Sequence, residues 1–321
     1  MVVAMAVSDR DVSTPPLSGA GQIARDGGTI RRMKIGTFEH GDGGSFVGEL
    51  EGETVHRLEA ESMLAWLRGE GRRRTGETLE PPGLRTLAPV PEPPSVRDFY
   101  AFEEHVVAGA RLRGREVAPY WYEAPAFYFS NPASIRGPGE RVERPAMTRM
   151  LDFELEVAAV VGVPVEGTGL DETGLGIAGF TLMNDWSARD VQAQEMTVGL
   201  GPHKAKDFAL SLGPWLVTPD ELPYEHGRLR VRARVIVNGD QVTESDAGAK
   251  HFEWPELLAH AARDTRLRAG DLLGSGTLAG GCLLELGPLP DPKRPDGRFI
   301  EPGDVVVLEG DGLGRLETPI V

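Results

Sequence analysis

With a single cysteine, Cys282, in 321 residues, the chain cannot build an internal disulfide framework or a cysteine-based zinc site, and a reducing cytoplasm is the expected compartment. Long apolar runs are missing too. Nothing approaches the length of a bilayer-crossing helix, and the opening "MVVAMAV" lacks the basic head and long apolar stretch of a signal peptide. Basic residues are in deficit, 34 Lys and Arg against 49 Asp and Glu, which gives a net charge of −15 and a pI near 5.0. Such a balance repels nucleic acid and anionic membranes, so neither is expected as a partner. At 40% hydrophobic residues the chain can bury a sizeable core, as one large domain or two.

Residues 1–32 are polar, rich in Gly, Ser, Thr and Pro and without apolar periodicity, the pattern of a flexible tail. From Met33 short alternating strands separated by Gly and Asp turns, then a short helix around "SMLAWLRGE", predict a small β-rich N-terminal domain over 33–90. The proline-rich "LAPVPEPPS", residues 87–95, is a stiff connector and the expected boundary. Beyond it, over 95–321, strands outnumber helices: "PAFYFSN", "DFELEVAAVVG", "IAGFTLMND", "GPWLVTP" and "RVRARVIVNGDQVTES". The last carries Asn238-Gly239, a hairpin signal. A helix fits "PELLAHAARDTRL". The fold class is mixed α/β and β-rich.

In "LDFELEVAAVVG" an extended chain sends Leu151, Phe153, Leu155 and Val157 one way and Asp152, Glu154 and Glu156 the other. Aligned like charges repel unless something positive lies between them. Glu154 and Glu156 can clasp one ion, or can simply face water on an edge strand. "GFTLMNDWSARDVQ" reads as an apolar strand ending at Asp185, which sits at a site or caps the helix after it, where Arg189 and Gln192 share a face. In "RDFYAFEEHVVAGARLRG" Asp98 precedes a helix and His105 follows seven residues later, two turns on and on about the same face. Asp98, Glu154, Glu156 and Asp185 make an all-oxygen set, suited to Mg²⁺, Ca²⁺ or Mn²⁺ and not to Zn²⁺. "GDLLGSGTLAGGCLLEL" combines a strand, a Gly-rich turn with Thr277, and Glu285. It lacks the ending of a phosphate loop and no helix is predicted after it. The turn either sets amides and the Thr277 hydroxyl against a ligand or is a plain connection. Lys206 is a candidate cation near the same place, or an ordinary surface lysine.

Six blocks in order, "DFYAFEEH", "DFELE", "LMNDWSARDVQ", "GLGPHKAK", "GPWLVTPDEL" and "GDLLGSGTLAGGCLLEL", resemble the fumarylacetoacetate hydrolase superfamily from about residue 95 to the C-terminus. The resemblance implies a mixed β-roll, a homodimer, and Mg²⁺, Ca²⁺ or Mn²⁺ on Asp98, Glu154, Glu156 and Asp185. It implies that His105, polarised by Glu285, is the general base. Lys206, Arg189, Gln192, Tyr100, Tyr128 and Thr277 fall where the family binds substrate or offsets its developing charge, with Arg189 and Tyr128 on a substrate carboxylate. Ala108 stands where acylpyruvase-like members carry their glutamate, so Glu285 takes that part. Met196 replaces a substrate-contacting tyrosine, Gly114 an arginine that has Arg113 beside it, and His203 an apolar residue.

The implied reaction is hydrolysis of a C–C bond in a small 1,3-dioxo acid of the fumarylacetoacetate or acylpyruvate type. A cation polarises the carbonyl, His105 activates water, and Lys206 with Gln192 offsets the oxyanion. The alternatives are decarboxylation, hydration or isomerisation of a 2-oxo acid through a metal-stabilised enolate, and a non-catalytic metal-stabilised scaffold.

Overall fold

The computed structural model describes residues 33–41, 43–81, 83–162, 165–166 and 176–321. The predicted tail, 1–32, lies outside the described residues. One large mixed sheet dominates, its strands running in the order Arg74–Leu79, Thr54–Leu58, Ser45–Glu51, Lys34–Glu39, Leu210–Val217, Ile177–Asp185, Leu155–Val161, Leu272–Gly274, Val96–Phe99 and Phe127–Ser130. Neighbours are antiparallel except Leu272–Gly274 and Val96–Phe99, which run parallel. The N-terminal strands are part of this sheet, because Lys34 and Ile35 pair with Val217 and Leu216. We propose the boundary at 87–95 as a division of the sequence across which the sheet is continuous.

The apolar run after Glu156 is explained by burial of both faces of its strand. Leu155, Val157, Ala159 and Val161 enter one apolar cluster with Phe153, Phe180, Leu182 and Leu273. Ala158 and Val160 enter a second, with Ile35, Val47, Met183 and Leu272. Glu156 is therefore the second residue of a strand whose every residue is buried, and Glu154 immediately precedes it. Leu151, Phe153, Leu155 and Val157 share one cluster, as the alternation predicts.

A second sheet of four strands contains the predicted hairpin, with Val237 opposite Asp240 and both Asn238 and Gly239 at positive φ. That is the left-handed backbone a two-residue hairpin turn needs. α-Helices are few among the described residues: Met63–Leu67, Glu103–Leu112, Arg189–Val198, Trp254–Ala262 and the one-turn Leu283–Leu286. None of the described helices is long and apolar enough to cross a membrane. Two expectations are corrected. Asp98 lies on the strand Val96–Phe99 and the helix begins only at Glu103, so no helical face relates Asp98 to His105. And a helix does follow the Gly-rich turn, the single turn that carries Glu285.

Candidate active site

Three strand ends converge. Asp98 pairs across the sheet with Gly274, which lies opposite Ala158, and Leu155 lies opposite Asn184. The close approach depends on glycine: a Cβ at Gly274 would lie 2.4 Å from Asp98 Oδ1. At Gly276, φ is +81° and a Cβ would meet the Phe99 carbonyl at 2.4 Å. The Gly-rich turn also orients an acid, since the Gly276 amide donates to Glu156 Oε2 at 3.0 Å.

Asp98, Glu154, Glu156 and Asp185 each bring a carboxylate oxygen within 4.8 Å of the others, and all four are buried. Burial raises Asp98 well above its ordinary value, with the charge on Asp185 next, and raises Glu156 likewise, with Asp98 next. Burial also works to raise Glu154, but Lys206 and then Arg189 outweigh it and hold that carboxyl below its usual range. Lys206 is no surface lysine: at 4% exposure its Nζ donates to Glu154 and, at 2.6 Å, to Asp185 Oδ2.

Lys206 does not complete the set. Asp98 Oδ1, Glu156 Oε1 and Asp185 Oδ1 are buried without a hydrogen-bond partner among the described residues. Leaving such oxygens unpaired is costly, and a hard divalent cation is the group they fit.

His105 lines a cavity of about 210 Å³ together with Asp98, Glu154 and Glu156, and Glu285 backs it from behind. His105 Nδ1 lies 2.6 Å from Glu285 Oε1, and Oε2 accepts the Gly280 amide at 3.0 Å. Burial works to raise Glu285, yet its hydrogen bond from His105, with that residue's charge and the Gly280 amide, holds it below the ordinary value. An ionised Glu285 accepts from Nδ1–H and leaves Nε2 as the basic nitrogen. Cys282 Sγ stands 3.5 Å from the same Oε1.

Tyr100, Tyr128, Arg189, Gln192, Lys206 and Thr277 all line this cavity, as do Arg113 and Met196. Besides Lys206, Arg189 and Tyr128 are already engaged with buried acids. Arg189 Nε donates to Asp152 Oδ2 at 2.8 Å, Nη1 donates to Gln192 Oε1 at 3.0 Å, and Nη2 pairs with Glu154 Oε1 at 2.8 Å. The Tyr128 hydroxyl donates to Asp185 Oδ2 at 2.5 Å. Both therefore hold the site's own buried acids, Arg189 by charge and Tyr128 by a hydrogen bond, while still lining the cavity where a substrate carboxylate was expected. Arg113, on the rim beside the Tyr100 hydroxyl, is the cation that sequence reasoning left out. Asp152 was the other omission: it faces Arg189 and not the cation set. The adjacency of Arg113 to a replaced arginine was the available signal for the first, and the alternation with Glu154 hid the second.

A β-rich fold with four clustered, buried carboxylates beside a histidine–glutamate pair defines the class to look for among known proteins. The family described as fumarylacetoacetate (FAA) hydrolase, C-terminal, matches residues 95–321, and the chain belongs to it. A fumarylacetoacetase of Arabidopsis thaliana is 34% identical over 275 residues, covering 67% of this chain and 65% of that protein. One of Caenorhabditis elegans is 33% identical, covering 66% and 64%. The match thus spans just under two thirds of these relatives' length. Among solved structures, a 5-carboxymethyl-2-hydroxymuconate delta-isomerase from Mycobacterium smegmatis superposes with a TM-score of 0.69 at 26% identity, over 90% of this chain and 99% of that one. A maleylpyruvate hydrolase from Sphingobium sp. SYK-6, in complex with manganese (II) ion and pyruvate, shares the fold with a TM-score of 0.66 at 17% identity, over 90% and 99%.

Proposed function

We propose that the protein is a divalent-cation-dependent hydrolase that cleaves a C–C bond in a small 1,3-dioxo acid of the fumarylacetoacetate or acylpyruvate type. The observation that carries this is the 2.6 Å contact of Glu285 with His105, which lines the same cavity as Asp98, Glu154 and Glu156 of the four-carboxylate set. A scaffold needs the carboxylates but has no use for the base.

Asp98, Glu154, Glu156 and Asp185 would hold Mg²⁺, Ca²⁺ or Mn²⁺. An ion bound there would supply Lewis-acid polarisation of the substrate carbonyl and stabilisation of enolate charge. Glu285 fixes the His105 ring with Nε2 basic, and His105 takes a proton from water as the water oxygen attacks the carbonyl carbon. When the C–C bond breaks, its electron pair leaves on the departing carbon, and the proton on His105 is available to it. Lys206, Gln192 and Thr277 place donors where the tetrahedral oxyanion forms. Arg113 and Tyr100 hold a carboxylate at the substrate's far end, since Arg189 and Tyr128 are committed to Asp152, Glu154 and Asp185.

The same reading carries a cytoplasmic homodimer, and the exposed Leu112, Val198 and Leu200 support the pairing. Sedimentation at micromolar concentration tests it, and a monomer there removes it. A second reading, isomerisation, decarboxylation or hydration of a 2-oxo acid, draws support from the isomerase named above. Metal-stripped protein, given a panel of 1,3-dioxo acids with each cation restored in turn, separates the two. C–C cleavage products support hydrolysis, and isomers or CO₂ support the second.

A further inference from the structure

Asp152 belongs neither to the four-carboxylate set nor to the histidine–glutamate pair, yet it is fully buried next to the supports of the pair. Oδ1 accepts the Leu283 amide at 2.8 Å, and Oδ2 accepts the Leu284 amide at 3.0 Å and Arg189 Nε at 2.8 Å. Leu283 and Leu284 open the single turn on which Glu285 rides. The first amides of a helix have no partner inside it, and so short a turn has little stability of its own. What fixes it is the contact it makes outside. The docking carboxylate comes from 131 residues away in sequence, and Arg189 balances its charge. Filling that volume with an apolar side chain would spare the desolvation cost but would leave both amides unpaired.

We propose that Asp152 is a positioning residue that holds the Glu285 turn so that Glu285 meets His105. The proposal rests on the hydrolytic reading above for what the pair then does. The test is Asp152→Asn in the full chain, alone and combined with Glu285→Ala, with Mn²⁺ binding read in parallel. Asparagine keeps the volume but loses the charge and one acceptor. Turnover should fall roughly 10- to 100-fold, with KM and the Mn²⁺ midpoint within about threefold of the parent. On the residual turnover of Glu285→Ala the same change should cost nothing more, because Asp152 acts through Glu285. Parent-level turnover in Asp152→Asn, or an undiminished loss in the Glu285→Ala background, overturns the proposal.

Amide hydrogen exchange in the parent gives a readout that needs neither turnover nor a folded variant. Leu283 and Leu284 should be protected although they head a one-turn helix, and free exchange at both overturns the docking. A parent that cleaves no dioxo acid, with these amides protected, defeats the hydrolytic reading and leaves the docking standing.

Discussion

His105 Nδ1 and Glu285 Oε1 lie 2.6 Å apart although 180 residues separate them along the chain. Residues that act as one unit lose their joint effect when either is removed. His105→Ala and Glu285→Ala should each depress turnover by a large factor with Mn²⁺ binding intact, and the double variant should be little worse than the poorer single. In the parent the rate should rise with pH as one group loses its proton, and that limb should vanish in His105→Ala. Additive losses would show that the two residues work separately.

Cation binding should be linked to pH with a definite sign. In the cation-free protein burial raises the pKa of Asp98 and Glu156. Their contribution to stability is fully present below the unfolded carboxylate value of about 4 and is lost as pH rises through the raised folded-state values. A divalent cation binds the ionised form, so the rise in melting temperature on adding Mg²⁺, Mn²⁺ or Ca²⁺ should be small in acid and grow with pH. Glu154→Ala and Asp185→Ala should lose that rise and their activity. A pH-independent rise in the parent contradicts this.

Lys206 neutralises Glu154 and Asp185 from inside the protein. Breaking a buried ion pair from one side costs about 3–5 kcal/mol, because the partner charge is left uncompensated. Lys206→Met should therefore melt well below the parent without cation, recover most of the difference with cation, and still turn over slowly. Parent-like turnover would remove Lys206 from the chemistry.

Arg113 should distinguish substrates by their far end. Arg113→Gln should raise KM for a dioxo acid with a terminal carboxylate and leave an uncharged methyl-ended analogue nearly unaffected. Equal effects on both would place the carboxylate elsewhere.

The acid set was legible because the pattern is local: Glu154 immediately precedes the strand that carries Glu156, and Asp185 ends the next. The partnership of His105 with Glu285 was carried by family resemblance, because nothing local links a helix at 103–112 to a turn near the C-terminus. The commitments of Arg189 and Tyr128 were not legible, since they depend on which carboxylates burial leaves in need of a donor. Asp152 was hidden for a related reason. The strand is interrupted after Leu151–Asp152 and resumes at Leu155, so the three acids that alternation puts in one row divide between two tasks.

Water activated by His105 should enter the product. The most direct measurement is turnover of a 1,3-dioxo acid in ¹⁸O-labelled water with cation present, read by mass spectrometry against an enzyme-free control that corrects for carbonyl exchange. Two fragments from C–C cleavage are expected, with one solvent oxygen in the new carboxylate of the acyl fragment. Intact carbon chains, loss of CO₂, or a carboxylate without solvent oxygen would contradict it.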